Sequence, residues 1–257
     1  MESVRREPPA ISKELEKRVN FCYPYEALAG VRGIVTVSAL KQAAQEDASA
    51  DPPEEGPADE LPAVKRERGE NAPEETSGSK ERLSGAERGT VYHKIMEHLS
   101  IAKLTGEASA AAEIARMKDE GLLSGDEAAA VSPAEITAFF GTALGERARR
   151  ADAEGRLFRE QPFILGVPLS ETDPAHEGSR ERILIQGIID LYFEEDGKLV
   201  LADYKTDRVA KAEDLIPRYR TQLHYYRKAL EQATGMTVAE TYIYSTVLKE
   251  TVLLPGT

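Results

Sequence analysis

The chain has 257 residues, enough for one large domain with an appendage, and a formal net charge of −12, unusual for a protein that binds nucleic acid over a wide surface. Its one cysteine, Cys22, excludes an internal disulfide framework and a four-cysteine zinc or iron–sulfur site made by this chain alone. No apolar run is long enough to span a membrane and residues 1–10 lack a signal-peptide core, so we expect a soluble, cytoplasmic protein.

The first ordered stretch and the segment after it differ sharply in composition. Residues 1–41 include a predicted short strand running into a helix, with Ser38 as N-cap, and we expect this segment to pack on the main domain. Residues 42–86 are rich in Pro, Glu, Ser and Gly and hold 12 acidic against 5 basic side chains, a net of −7. Such a segment cannot bury enough apolar surface to offset its ordering entropy, so we predict a disordered acidic linker. The acidity is therefore local and leaves room for a phosphate-binding cleft.

Residues 87–257 show alternating helix and strand patterns. Apolar side chains at helical spacing predict a helix around Tyr92–Leu99, and further helices are predicted at about 108–119 and 132–150, the last opened by Ser132 and Pro133. The remaining predicted elements are strands within 155–165, 182–194 and 198–206, a helix over 215–234 ended by Gly235, and a strand within 240–248. The fold class is therefore α/β, with a mixed sheet flanked by helices.

Asp196–Gly197 joins two apolar runs and predicts a two-residue hairpin. If Glu195 pairs with Lys198, Asp190 lies directly opposite Asp203, with Cβ atoms about 4.5–5.5 Å apart. Lys205, two residues further on, then shares their face of the sheet.

Two opposed carboxylates repel each other, so protonation, a pair with Lys205 or a divalent cation must compensate. A solvated edge pair bridged by the lysine is the structural alternative. The apolar neighbours in both strands favour burial and therefore a metal site. His93 is a third possible ligand, although a single helical histidine is more often packed or exposed than a ligand.

Further polar residues have both structural and functional readings. Glu160 lies beside an apolar strand. It is either an acid that supports the site or a simple charge at the edge of the strand. Gln222 and Tyr226 share one face of the last helix, where Tyr226 also fits plain core packing. Arg218 and Arg220 lie in the most basic stretch of the chain, typical of a solvated face but also of contacts to a polynucleotide backbone.

Taken in series, five motifs resemble the RecB-type nuclease domain of the PD-(D/E)xK superfamily. They are "GTVYH", "REQPF", "QGIIDLYF", "LADYKTD" and "YRTQLHYY". The pieces "YPYEALAG" and "TVSALKQ" resemble the segment upstream of that domain in AddA-type proteins of bacterial helicase–nucleases. The resemblance covers roughly residues 20–41 and 87–257, and it implies a restriction-endonuclease-like fold.

The resemblance also implies roles for individual residues. The implied metal ligands are His93, Asp190, Asp203 and the carbonyl of Tyr204, and Lys205 would be the catalytic lysine. Gln222 and Tyr226 match a motif that supports the lysine and the DNA strand, and Glu160 matches an acid of less certain role. Catalytic residues on this reading are Lys205, Asp190, Asp203, Gln222, Tyr226 and Glu160. DNA contacts would come from Gln222, Tyr226, Arg218 and Arg220.

The implied cofactor is Mg²⁺, with Mn²⁺ also accepted because a histidine softens an otherwise oxygen site. The absence of a cysteine cluster argues against an iron–sulfur cluster. The chain has no G-x-x-x-x-G-K-[ST] motif, so ATP would serve only the helicase portion, which this sequence lacks. We therefore expect a C-terminal piece of a larger chain that works with an AddB-type partner protein and does not associate with a membrane.

The leading hypothesis is a metal-dependent deoxyribonuclease domain of a helicase–nuclease complex for double-strand-break processing and recombinational repair. It would hydrolyse unwound single-stranded DNA, by analogy the 3′-terminated strand. One alternative is a catalytically silent nuclease-fold module that binds DNA or a partner, against which the intact Asp190, Asp203 and Lys205 argue. The other is a stand-alone exonuclease of the same superfamily.

Overall fold

The computed structural model describes residues 33–46 and 83–255 of the chain. The strands in these ranges are β1 (Ile34–Thr36), β2 (Leu157–Pro168), β3 (Arg182–Glu195), β4 (Lys198–Lys205), β5 (Val238–Ser245) and β6 (Glu250–Leu253). The helices there are α1 (Val37–Glu46), α2 (Gly85–His98), α3 (Glu107–Asp119), α4 (Gly125–Ala130), α5 (Pro133–Phe140), α6 (Ala143–Ala153), α7 (Leu169–Thr172) and α8 (Leu215–Thr234). The predicted α/β class is confirmed.

The strands form a mixed sheet that opens at one point. β2 pairs antiparallel with β3 along its whole length, so β1 and β4 share the other edge of β3. β1 runs parallel to residues 184–186 of β3, whereas β4 pairs antiparallel with residues 191–195. Within the described ranges, residues 187–190 have no strand partner on that edge. The last residues of β4, 203–205, no longer pair with β3, although they continue the pairing with β5 that begins at Leu199. We call this opening between β3 and β4 the fork.

The hairpin between β3 and β4 has the predicted register. Glu195 pairs with Lys198, and the ladder continues to Leu191 opposite Ala202. Asp196 and Gly197 both have positive φ, 51° and 73°, as a two-residue type I′ turn requires. Because this turn sets the register, it decides which residues of the two strands arrive together at the fork.

Helices cover both faces of the sheet. One face packs on α2–α6 around a continuous apolar core; sheet residues in this core are Leu191, Phe193, Val200, Ala202, Tyr204 and Tyr244. On the opposite side α8 packs against α1, β2 and β5. Strand alternation directs Asp203 and Lys205 toward α8, away from the face of Tyr204.

Local capping explains several helix boundaries. Ser132 and Pro133 open α5 as predicted, and Gly235 ends α8 with φ 71°. The predicted helix 132–150 is two helices, because Thr142 accepts a hydrogen bond from Gly145 N–H and starts α6 anew. The predicted cap Ser38 was wrong, since Thr36 Oγ1 accepts from Ala39 N–H at the start of α1.

The segment predicted as a linker, 42–86, is described only at its ends. Residues 42–46 continue α1, and residues 83–86 contain the cap and first turn of α2. Residues 47–82, like most of the predicted N-terminal segment 1–41, lie outside the described ranges. No helix in the described part of the chain is both long and apolar enough to cross a bilayer.

Candidate metal-dependent active site

The fork brings the two hairpin aspartates together in an unusual way. The strand ladder ends one pair before them, and Asp190 Oδ2 instead accepts the backbone N–H of Tyr204 at 2.7 Å. Both backbone polar groups of a strand residue project toward the same neighbour, so the Tyr204 carbonyl also faces the fork. The carbonyl of Lys205 points the other way and accepts from Thr246 N–H. The site is therefore built where the sheet stops pairing.

Glu160 comes to the same place from β2. Its neighbours Arg159 and Gln161 pair with Leu191 and Ile189, which puts Glu160 opposite Asp190. Its φ of 47° lies in the left-handed region, which costs a non-glycine residue about 1 kcal/mol or more. The carboxylate of Glu160 lies 3.1 Å from His93 Nδ1. Backbone strain therefore accompanies an acid placed directly at the fork.

His93 completes a group of three possible ligands. Its Nδ1 lies 3.6 Å from Asp190 Oδ1, and one ligand atom from each of His93, Glu160 and Asp190 lies within 4.8 Å of the others. Burial by itself lowers the pKa of His93, but the charge of Asp190 and the hydrogen bond with Glu160 outweigh it and raise the pKa to about 9. Burial raises the pKa of Asp190, although His93 and Lys205 oppose the shift.

The helix that carries His93 is held at both ends. Ser84 caps its start, accepting from Glu87 N–H while the Glu87 carboxylate accepts from Ser84 N–H. At its end, Arg159 Nη1 donates to the carbonyls of Met96 and Leu99, both at 2.8 Å. Since Arg159 precedes Glu160, this contact ties the helix of His93 to the strand of Glu160.

Asp203 and Lys205 form the second half of the site. Asp203 is fully buried, and its Oδ2 lies 2.8 Å from Lys205 Nζ without a well-directed hydrogen bond from any described residue. Burial and the nearby Asp190 raise the pKa of Asp203 to about 7, against the lowering effect of Lys205. For Lys205, burial lowers the pKa, but the charges of Asp203 and Asp190 prevail and raise it above the usual value.

Two residues of α8 that were predicted to belong to the site lie next to Asp203. Gln222 Nε2 donates to Tyr226 Oη at 2.7 Å and lies 3.5 Å from Asp203 Oδ1. Both side chains are buried, and the ring of Tyr226 packs edge-on against Phe163. Gln222 thus contacts the aspartate of the D-x-K pair, and neither side chain presents a surface to solvent.

The arginines predicted to contact DNA lie near the start of α8. Arg218 and Arg220 are exposed and flank the buried Tyr219. Their exposure suits either a solvated face or a contact with a polynucleotide backbone, the two readings already open from sequence.

Sequence reasoning missed Tyr219 and Asp207. The Nζ of Lys205 lies 4.4 Å from the centre of the Tyr219 ring, a cation–π distance, and Tyr219 Oη donates to Asp207 Oδ2 at 2.7 Å. Tyr219 lies three residues before Gln222 and seven before Tyr226, so the helical period was the available signal.

The ligand group differs in one member from the set implied by resemblance. Glu160 lies with His93 and Asp190, whereas Asp203 is paired with Lys205 and falls outside the group within 4.8 Å. The pairing follows from the pleat, which directs Asp203 and Lys205 to one side of β4.

Comparison with known proteins identifies a family and relatives that this chain resembles. The family model described as PD-(D/E)XK nuclease superfamily matches residues 65–252. The chain is 36% identical over 242 residues to an ATP-dependent helicase/nuclease subunit of Syntrophomonas wolfei, and 36% identical over 247 residues to the protein of the same name from Geobacillus kaustophilus. These alignments cover 92% and 91% of this chain but 18% and 19% of those relatives, so the chain spans about a fifth of their length.

Proposed function

Because the chain belongs to the PD-(D/E)XK nuclease superfamily, we propose that it is a metal-dependent deoxyribonuclease domain that hydrolyses single-stranded DNA. Its mixed sheet flanked by helices is the restriction-endonuclease-like fold of that superfamily. The observation that carries the proposal is the fork, where His93, Glu160 and Asp190 meet beside the buried Asp203–Lys205 pair.

The residues at the fork suit a divalent cation. Carboxylates and a backbone carbonyl are the ligands that Mg²⁺ prefers, and one imidazole extends the choice to Mn²⁺. Asp203 Oδ2 is buried against the Lys205 ammonium at 2.8 Å, and a carboxylate oxygen has a further lone pair that a cation could use. We assign His93, Asp190, Asp203 and the Tyr204 carbonyl as ligands, with Glu160 as a further acid. A bound cation would polarise a phosphoryl oxygen and acidify the attacking water.

The other side chains of the site supply positive charge or fix the orientation of their neighbours. The raised pKa of Lys205 keeps it protonated at neutral pH, so its ammonium stabilises negative charge on the scissile phosphate and orients the attacking water. The ring of Tyr219 holds that ammonium in place. Gln222 orients Asp203, and Tyr226 in turn orients Gln222. His93 binds a cation only after losing its proton, so metal affinity should rise with pH.

The names of the relatives indicate the setting of this activity. A helicase/nuclease unwinds DNA and cuts it, so we propose that this chain serves double-strand-break processing and recombinational repair in the cytoplasm. Its substrate would be the 3′-terminated single strand, delivered by a helicase portion with an AddB-type partner. Arg218 and Arg220, exposed beside the site, would contact the phosphate backbone of the strand. ATP would be consumed only by the helicase portion.

The test is cleavage of an end-labelled single-stranded oligonucleotide by the wild type and by Lys205→Ala, in Mg²⁺, Mn²⁺ and EDTA. We expect metal-dependent cutting that Lys205→Ala slows on the order of a hundred- to a thousand-fold, as for the loss of a preorganised charge. Lys228→Ala, which removes a more exposed lysine paired with Glu171, is the matched control and should cut like wild type. If neither metal supports cutting and calorimetry finds no metal binding, the silent binding module becomes the better account.

A further inference from the structure

An exposed aromatic pair lies beside the fork and takes no part in the site described above. Phe158 of β2 and Tyr192 of β3 are directly paired across the two strands. Their rings are stacked, with centroids 4.7 Å apart and planes 12° apart. Phe158 is 40% exposed, and it is the one aromatic residue among the exposed large apolar side chains of the described ranges.

This pair differs from the other close aromatic contacts in the described part of the chain. Those contacts are edge-to-face, and the ones nearest the fork join buried rings such as Tyr92, Phe139, Tyr204 and Tyr244. Edge-to-face packing fills a core, whereas a parallel stack with an open outer face can be extended by another flat ring. Hairpin stabilisation by a cross-strand pair does not require that the outer ring remain open.

The pair is adjacent to the reacting groups on both strands. Phe158 lies two residues from Glu160, and Tyr192 lies two residues from Asp190. Two residues of a strand span about 6.6 Å, so the stacked rings lie about that distance along each strand from the acids of the fork. A strand whose phosphate is held at the fork would therefore bring a neighbouring base over the ring of Phe158.

We propose that Phe158, backed by Tyr192, is a stacking platform for a nucleobase of the bound single strand. The inference rests on the proposed nuclease function and adds a subsite that recognises bases without regard to sequence, since every base has a π face. It also explains how a chain with net charge −12 can hold a strand by more than phosphate contacts.

The chain has no tryptophan, so Phe158→Trp introduces a single tryptophan, whose emission can be excited selectively over that of the tyrosines, at the platform. We expect a single-stranded oligonucleotide of about 12 nucleotides to quench its emission in EDTA, where no cutting occurs. An abasic strand of the same length carries the phosphates without the bases and should not quench it. Ile164→Trp, also on β2 at an exposed position, is the matched control and should respond to neither strand.

Kinetics supply the second arm of the test. Phe158→Ala and Phe158→Leu should each raise KM for the base-bearing strand on the order of ten-fold and leave kcat and KM for the abasic strand unchanged. Leucine keeps apolar area but has no π face. A wild-type KM in Phe158→Leu would therefore overturn the stacking proposal. An equal loss on both strands, or equal quenching of Trp at positions 158 and 164, would also overturn it. If the wild type cuts neither strand, the nuclease proposal fails, while the fluorescence arm still decides the platform.

Discussion

The hairpin of β3 and β4 carries a cluster of charges at each end, and the two clusters are organised differently. At the turn, Arg147 donates to Glu195 at 2.6 Å and to Glu240 at 2.7 Å, and all three side chains are partly exposed. At the fork, three acids face Lys205 and one histidine, and Asp190 and Asp203 are almost completely buried.

The different burial of the two clusters indicates that they have different roles. Partly exposed charges that share a partner cost little free energy to maintain. Here they join α6 to β3 and β5, the strands on either side of β4. Buried acids in excess of their cations are costly unless another cation joins them. Backbone strain at Glu160 adds to the cost at the fork. We infer that the turn end serves stability and the fork serves chemistry, and substitutions at both ends can test this.

Asp203→Asn should have the largest effect, a loss of cleavage on the order of a thousand-fold, because it removes a proposed ligand and the partner of Lys205. Its effect on metal-free stability should have the opposite sign. The raised pKa means that folded protein holds the Asp203 proton until about pH 7, whereas the unfolded chain releases it near 3.8. Ionisation of Asp203 therefore lowers wild-type stability across that window, and the variant lacks this contribution, so its stability should fall less steeply with pH.

Urea unfolding in EDTA at several pH values measures this difference, with Asp196→Asn in the turn as the matched control. A variant that is less stable than wild type at pH 8 would show that Asp203 is mainly a structural partner of Lys205.

Mn²⁺ should stabilise the folded protein through the fork. At roughly one hundred times its dissociation constant, a ligand adds about 2.7 kcal/mol, which for a chain of this size raises Tm by about 5–10 °C. Asp190→Asn should abolish the rise, since the amide keeps an acceptor for Tyr204 N–H but loses the charge. Arg147→Ala should retain it. Tm is measured by calorimetry for each variant with and without Mn²⁺. An equal rise in Tm in both variants would mean that the cation binds elsewhere.

Arg147→Ala should lower the free energy of unfolding by about 1–3 kcal/mol, because Glu195 loses the guanidinium that donates to it and Glu240 keeps the hydroxyl of Tyr242 but no cation. Cleavage well below Tm should not change. Arg150→Ala, an exposed arginine on the same helix, is the control for loss of charge. Reduced kcat in Arg147→Ala at full folding would mean that the two ends of the hairpin are coupled.

The smallest expected change in stability comes from relieving the backbone strain at Glu160. Both Glu160→Gly and Glu160→Ala should lose cleavage, but Gly should be the more stable by about 1 kcal/mol, because glycine adopts positive φ without strain. At Glu195, where φ is not positive, the Ala variant should instead be more stable than the Gly variant. Thermal melts of the four variants give the comparison, and a more stable Ala at position 160 would argue against strain there.

Much of this architecture could be predicted from local signals. The Asp196–Gly197 turn specifies its own register, because both residues tolerate positive φ, and the register brings Asp190 and Asp203 to the fork, one position beyond the last ladder pair. The apolar period located α2 and α8, and with them His93 and Gln222. Helix boundaries were less certain, because a single hydroxyl such as Thr142 decides where one helix stops and the next begins.

The sequence by itself determined the family, the hairpin and the residue types of the site, because motifs, turns and periods are properties of neighbouring residues. The tertiary structure was needed to show which acids meet His93 and that Tyr219 lies against Lys205. These contacts depend on where β4 leaves β3, on the positive φ of Glu160 and on how α8 packs across the sheet. Such features arise from packing between distant segments, which no local pattern encodes.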